Sequence, residues 1–295
     1  MVDFNKIKTV SIKNRKNKVN IKDFPNLKDK IKLLRNKNLK KLSEKVIEAY
    51  ENDKPVILMM GAHVIKTGMS PYIVDLMDKG VIKHVAMNGA GSIHDFELSL
   101  IGETSEDVQT NLEDGTFGMS HETGQMMNDA LKTSKVGYGK RIGELISKFR
   151  MKYKNYSILN KGYEKNIPVT IHVAIGTDII HQHPYCDGAA IGRTSYEDFK
   201  IFTDSVSKLE GGVIINLGSA VILPEVFLKA LTIARNLGYK VEKFTTANLD
   251  MIDHYRPRCN VVQRPTSQGG QGYFIKGKHE RTVPTLYHLI KKGIK

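Results

Sequence analysis

The chain has 295 residues, of which 40% are hydrophobic, enough for a sizeable α/β core and too many for global disorder. No apolar run approaches the ~20 residues of a membrane span, and the N-terminus lacks an apolar signal-peptide core. We therefore expect no membrane partner and a cytoplasmic location. The two cysteines, Cys186 and Cys259, fit a reducing compartment rather than a disulfide scaffold.

The formal net charge of +14 is concentrated at the front of the chain. Residues 1–45 hold 15 Lys and Arg against 4 Asp and Glu, so they supply +11 of the +14. Such a segment suits acidic partners. However, no aromatic residues interleave the lysines and no nucleic-acid motif is present, so we expect a solvated surface and no nucleic acid.

Apolar residues at helical spacing predict a mostly helical segment over 24–52, within a basic, largely helical N-terminal extension of residues 1–54. Val56–Met60 is short and apolar, as a buried strand requires. Ser70 and Pro71 are typical of a helix start.

Strands and helices then alternate along residues 55–295, which we read as a single domain because no linker divides them. This order predicts a doubly wound, mainly parallel Rossmann-like α/β sheet, with ligands outside the carboxyl ends of the strands. Further strands are predicted at 83–87, 167–174, 212–217, 241–245 and 273–275, and further helices from about 92, from about 120, and at 139–154, 194–209, 224–236 and 284–292.

The most informative stretch is the turn 88–91, Asn-Gly-Ala-Gly, between a predicted strand and a predicted helix. The first N–H groups of a helix lack partners and carry partial positive charge, and small residues let a phosphate approach them. Gly218-Ser219-Ala220 ends another strand in the same way. Neither turn is a Rossmann or Walker fingerprint, so an ordinary tight turn is the alternative.

The segment 178–187 concentrates groups that ligate metals. Asp178, His181 and His183 suit Zn, Mn or Fe, which makes a metal-dependent hydrolase an alternative hypothesis. The chain has no His-Glu-x-x-His motif and no cysteine pair at zinc spacing. We therefore favour histidines that line a ligand pocket or transfer protons, and we expect no metal.

Several motifs together resemble those of the deoxyhypusine synthase family, over about residues 55–290. That family carries a Ser-Asn-Leu-Ile-Ser-Ser-Gly segment, a Thr-Ala-Gly-Gly-x-Glu-Glu-Asp turn, a Thr-Asp-Gly-Ser loop, an apolar strand running into a Gly-rich turn and Pro, and an Asn-Thr-Ala segment. The similar stretches here are 62–68, 88–95, 186–189, 213–224 and 245–247.

The resemblance implies a tetramer of Rossmann-like subunits that uses NAD to oxidise an amine and transfers an aminoalkyl group. It therefore implies a small-molecule amine substrate such as a polyamine, and a homo-oligomer. Asp187 would contact a ribose. The positions that match the family's cofactor-binding residues are Thr67, Asn88, Gly89, Ala90, Asp187, Gly218, Thr246 and Ala247.

The chain departs from that family at two places that carry chemistry. Ile93 and His94 stand where the family has paired glutamates, and Arg264 falls near the position of its imine-forming lysine. A guanidinium stays protonated and forms no imine. We therefore expect NAD-dependent amine oxidation with His94, His181 and Asp95 as candidate catalytic residues. A non-catalytic nucleotide-binding module is a further alternative.

Overall fold

The computed structural model describes residues 2–294, whose strands form a six-stranded parallel sheet and a two-stranded antiparallel one. The strands of the small sheet are β1 (Asn17–Asn20) and β4 (Glu103–Glu106). Those of the large sheet are β2 (Val56–Met60), β3 (His84–Asn88), β5 (Val169–His172), β6 (Val213–Leu217), β7 (Thr245–Asp250) and β8 (Gln271–Lys276).

Helices fill most of the sequence between these strands. They are α1 (Lys37–Glu51), α2 (His63–Lys66), α3 (Ser70–Asp78), α4 (Gly89–Ile101), α5 (Val108–Glu113), α6 (His121–Lys132), α7 (Tyr138–Lys148), α8 (Ile158–Lys165), α9 (Gly188–Ser207), α10 (Ile222–Asn236), α11 (Tyr255–Pro257) and α12 (His279–Gly293). A π-helical stretch, Arg258–Gln263, follows α11 directly, and short 3-10 turns include Ile179–Gln182. None of the helices within residues 2–294 is long and apolar enough to cross a membrane.

The large sheet is doubly wound, as the alternation of elements predicted. Its order is β5–β3–β2–β6–β7–β8, and all neighbouring strands are parallel. From β2 the chain moves outward through β3 and β5, then returns to β6 and moves outward the other way. The strand order therefore reverses between β2 and β6, which is where such sheets bind ligands.

The sheet is buried on both faces. One core joins the sheet to α1, α3, α4, α7, α8 and α12, and a second core joins the other face to α9 and α10. All five residues of β2 and all five of β6 are buried. Strands covered on both sides read as continuous apolar runs, which is why the sequence identified these two.

Side chains of α9 cover the outer edge of β5. Asp198 Oδ2 accepts hydrogen bonds from Ile171 N at 2.7 Å and Gly139 N at 2.9 Å, and Ser195 Oγ accepts from Val173 N at 3.3 Å. Burial raises the pKa of Asp198 to about 8. The edge strand thus leaves few free backbone groups for pairing with another chain.

The N-terminal segment differs from the prediction. Its helix begins only at Lys37, where Asn36 caps it, so the expectation of a mostly helical 24–52 is wrong for the residues before that cap. Residues 2–36 form short 3-10 turns and the strand β1, which pairs with β4. Long-range pairing and a buried side chain, Arg15, override the local helical spacing here.

Three boundaries shift for local reasons. α4 begins at Gly89, since the Asn88 side chain accepts from Gly91 N at 3.1 Å, so the predicted turn is the first turn of the helix. α9 begins at Gly188 because Asp187 caps it. β7 spans Thr245–Asp250 rather than 241–245, because its polar residues are buried within the sheet.

Candidate functional site

A cavity of about 220 Å³ lies at the carboxyl ends of β2 and β3. The end of α2, the first turns of α4, the segment from β4 to the loop after α5, the loop after β5 and the N-terminal segment enclose it. Its position agrees with the edge at which the sequence predicts ligands. Its titratable lining residues are Arg15, Lys66, His94, Glu97, Glu106 and Asp178.

One wall of the cavity is a buried ion pair between Arg15 and Glu97. Arg15 Nη1 and Nη2 donate to the two carboxylate oxygens of Glu97 at 2.9 and 2.7 Å, and the side chains are 4% and 1% exposed. The hydroxyls of Thr104 and Thr123 donate to the same carboxylate at 2.6 and 2.9 Å. Arg15 Nη1 also lies 3.6 Å from Glu106 Oε1. This bidentate, fully bonded geometry is the strong form of such a pair.

His94 joins this network through Thr104. Its Nδ1 lies 2.7 Å from Thr104 Oγ1. Since the Thr104 hydroxyl donates its hydrogen to Glu97, the ring must donate from Nδ1, which leaves Nε2 as the acceptor nitrogen. Burial lowers the pKa of His94 to about 4, so the ring is neutral at neutral pH.

Asp178 lies against the N-terminus of α4. Its Oδ2 is so close to Gly89 that any Cβ there would overlap it, and this oxygen has no hydrogen-bond partner among the described residues. Burial raises the pKa of Asp178 to about 6, while a hydrogen bond from the Ala90 backbone opposes the rise. The carboxylate takes the place that the sequence assigned to a phosphate, and the helix N-terminus stabilises its charge.

His181 holds the loop that carries Asp178. Its Nδ1 accepts from the backbone N–H groups of Gly176 and Asp178, each at 3.1 Å, so its hydrogen lies on Nε2. Nε2 is 3.8 Å from Asp178 Oδ2, beyond hydrogen-bond reach. Burial lowers the pKa of His181. The ring is outside the cavity lining, so the structure gives it a supporting position rather than a catalytic one.

The alternative metal-ligand set is not assembled. His183 Nε2 lies 2.8 Å from Gly118 O, whereas His181 is hydrogen-bonded to the backbone of Gly176 and Asp178. Within residues 2–294 no three His, Cys, Asp or Glu side chains are arranged to hold a metal ion. The geometry therefore gives no support to the metal-dependent hydrolase.

Asp95 was predicted as catalytic, and the structure gives it another position. It is 1% exposed and accepts hydrogen bonds from Ser157 Oγ, from Ile158 N at 2.9 Å and from Leu159 N at 3.1 Å. Burial raises its pKa to about 6. These contacts anchor the start of α8, and Asp95 does not line the cavity. Successive helix residues point to different faces, which separates Asp95 from His94.

Two residues predicted to bind the cofactor lie near the amino-terminal end of their strand, away from the ligand edge. Thr246 and Ala247 are the second and third residues of β7 and are fully buried. The ligand edge is at the other end, after Asp250. The sequence places these residues just after a strand at 241–245, whereas the structure places them inside β7.

The other predicted cofactor residues lie at the ligand edge. Asn88, Gly89 and Ala90 form the start of α4. The Thr67 hydroxyl donates to backbone carbonyls of α2, and Asp187 Oδ1 accepts from Ala189 and Ala190 at the start of α9. Of this set, Ala90 lines the cavity.

At the switch point, β2 and β6 approach closely beyond their ends. A Cβ at Gly61 would overlap the Gly218 carbonyl, and one at Gly218 would overlap the ring of His279. Gly218 has a φ of 67°, which favours glycine. Asn216 Nδ2 donates to Ser219 O at 2.9 Å and so fixes the loop that leads into α10. The start of the loop after β6 is therefore held in one conformation where the strand order reverses.

Sequence reasoning missed four charged residues of the cavity: Arg15, Lys66, Glu97 and Glu106. Glu97 could have been identified from the sequence, since it lies three residues after His94 on the same helical face and interrupts an apolar stretch. Arg15 had none, because it reaches the site from 82 residues away.

Solved structures resemble this chain in fold. The ternary complex of AgrE with ornithine and NAD⁺ matches with a TM-score of 0.58 at 14% identity, over 89% of this chain and 34% of AgrE. This chain thus spans about a third of the length of AgrE. A "conserved putative LOR/SDH protein" from Methanococcus maripaludis S2 matches with a TM-score of 0.57 at 14% identity, over 92% of this chain and 72% of that protein.

A "putative deoxyhypusine synthase" from Entamoeba histolytica matches with a TM-score of 0.50 at 8% identity, over 86% of this chain and 87% of that one. No protein-family model and no curated sequence matches the chain. At these identities the likeness establishes a shared Rossmann-like fold. The resemblance seen in the sequence motifs is therefore a distant relationship of fold.

Proposed function

We propose that the chain is an NAD-dependent enzyme that oxidises a small amine in the cavity between β2, β3 and α4. The observation that carries the proposal is that cavity, which neutral His94 and Asp178 both line at the ligand edge of the sheet, with Asp178 Oδ2 buried and unpartnered among residues 2–294. A neighbour of the same fold binds ornithine and NAD⁺ in its own structure, which supports this choice.

NAD would be held by the loops after β2 and β6, at the reversal of strand order. Thr67 lies beyond the first of these loops and Gly218 begins the second. A Cβ at Gly61 would meet the Gly218 carbonyl, so these two glycines bring the two loops close together. We do not assign the phosphates to the start of α4, since Asp178 already lies there. When bound, NAD would supply the acceptor for a hydride.

The chain's own residues would bind the amine and accept the proton that it loses. The Asp178 carboxylate would accept a hydrogen bond from the substrate ammonium, a charge-assisted contact. His94 Nε2 would take the proton that the nitrogen must lose before its neighbouring carbon releases a hydride. Glu97, through Thr104, would stabilise the resulting imidazolium. Group transfer after oxidation and a homotetrameric assembly remain part of this proposal.

The proposal predicts an acid limit to activity. Asp178 must be charged to bind the ammonium, and its pKa of about 6 is raised by burial. Activity should therefore rise as pH increases through about 6, although His94 is already neutral above about 4. If activity instead rises only near pH 4, a group other than Asp178 binds the substrate ammonium.

Calorimetric titration with NAD tests cofactor binding. Val221 directly precedes α10 in the loop after β6 and is 47% exposed, so Val221→Glu adds negative charge to one of the two loops proposed to hold NAD. We expect wild type to bind NAD and Val221→Glu to bind about tenfold more weakly. The matched control is Leu237→Glu, at the opposite end of the same helix and 67% exposed, which should bind as wild type does.

Two results would reject the NAD site. One is a folded wild-type protein that binds no NAD, which would favour the metal-dependent or non-nucleotide alternatives. The other is equal weakening in both glutamate variants, which would indicate general charge repulsion. NAD binding with no oxidation of any amine would instead favour the non-catalytic nucleotide-binding module.

A further inference from the structure

The cavity contains more charge than the proposed chemistry uses. Three carboxylates line it, from Glu97, Glu106 and Asp178, together with two cations, Arg15 and Lys66. One negative charge is therefore left over. A buried charge without a partner is costly, so this balance indicates what the cavity takes up.

Glu97 and Glu106 are already compensated within the protein. Arg15 donates to both oxygens of Glu97 and lies 3.6 Å from Glu106. Glu106 also accepts from Gly118 N at 3.0 Å and Asn111 Nδ2 at 2.7 Å. Neither glutamate has a free place for a substrate cation while Arg15 is present.

Asp178 differs from the two glutamates. It is 8% exposed, and its Oδ2 has no partner among residues 2–294. Lys66 lines the same cavity and takes part in none of the ion pairs there. The cavity lining thus includes one carboxylate with a buried, unpartnered oxygen and one ammonium, that of Lys66, which would repel further cations.

We propose that Arg15 is a specificity-determining residue that fills the place a second ammonium group would need, so that the cavity takes amines with a single positive charge and rejects diamines. The inference rests on the proposed amine substrate and names its class. In this account the basic N-terminal segment is part of the substrate site, and Arg15 acts there as a fixed internal cation.

Amine binding in the absence of NAD tests this inference. The probes are butylamine and 1,4-diaminobutane, and the readout is the dependence of the melting temperature on amine concentration, which yields an affinity for each. For wild type we expect the monoamine to bind at least as tightly as the diamine. Arg15→Ala should raise the ratio of diamine to monoamine affinity about tenfold, because it exposes Glu97 and Glu106 to a second ammonium.

A second variant keeps the test decisive if Arg15→Ala fails to fold. Lys66→Met removes the half-buried, unpaired cation, leaves the Arg15 ion pair intact and should raise the same ratio in the same direction. Arg15→Lys, which keeps a cation, should retain the wild-type preference. Lys18→Ala, which breaks an exposed ion pair with Asp107, is the surface control.

The inference is overturned if wild type prefers the diamine, if neither amine binds wild type, or if Lys66→Met and any folded Arg15→Ala keep the wild-type ratio. Its failure is separable from that of the proposed function. Cofactor binding is measured by titration with NAD alone, whereas the amine preference is measured without NAD.

Discussion

Breaking the buried ion pair between Arg15 and Glu97 should destabilise the whole domain. We consider Arg15→Met, which keeps an unbranched apolar stem and removes the guanidinium and its charge. Glu97 would then remain 1% exposed with two hydroxyl donors and no cation. Removing one partner of a buried pair costs about 3–5 kcal/mol of unfolding free energy. For a domain of this size the melting temperature should fall by roughly 5–8 °C.

A double-mutant cycle separates the pair from its surroundings. Glu97→Gln removes the other charge and keeps an oxygen that accepts from Thr104 or Thr123. The double variant should recover most of the loss, because no unpaired charge remains. Urea unfolding of the four proteins gives the coupling energy, which we expect to exceed about 2 kcal/mol.

The exposed pair of Lys18 and Asp107 provides a matched comparison, with side chains 58% and 41% exposed. Lys18→Ala should cost less than about 1 kcal/mol. If Arg15→Met costs no more than Lys18→Ala, or if the double variant is as unstable as the sum of the single ones, then the N-terminal segment does not hold the cavity as described.

Three further predictions follow from buried polar groups. Asp95→Ala should lower the unfolding free energy by about 3 kcal/mol, because three donors at the start of α8 lose their acceptor, and Asp95→Asn should lose less; chemical unfolding measures both. Burial raises the folded-state pKa of Asp198 to about 8, so between about pH 4 and 8 the folded protein keeps a proton that the unfolded chain loses. The free energy of unfolding should therefore fall as pH rises across that range. A pH series of unfolding curves should show a smaller fall for Asp198→Asn. Thr246→Val should leave NAD affinity unchanged in a titration and should not lower stability, since the Thr246 hydroxyl is buried and has no hydrogen-bond partner among residues 2–294. Weakened NAD binding in this variant would support a place for Thr246 in the cofactor site.

The sequence predicts those strands correctly whose residues are apolar because both of their faces are buried. β2 and β6 are apolar throughout because helices cover both faces of the sheet. β7 was misplaced because its Asn248 looks like a loop residue. In the structure Asn248 Oδ1 accepts from Asn216 on the neighbouring strand at 2.7 Å, a partner 32 residues away that no local pattern reveals.

The candidate site was only partly predictable for the same reason. His94 was identified because the strand-to-helix corner that carries it is a local pattern. Its tautomer depends on Thr104 and Glu97, and its cavity depends on Arg15 from a segment that read as solvated surface. Asp178 packs against the first turn of α4 only because the loop after β5, which carries it, folds back onto that helix. Contacts of this range are set by tertiary structure.

The formation of NADH from NAD and a monoamine tests the central claim most directly. We predict that the wild-type protein produces NADH in proportion to the amine oxidised, and that His94→Gln stops this while NAD and amine still bind. Wild-type protein that binds both NAD and the amine but forms no NADH, or His94→Gln with unchanged turnover, would contradict the account.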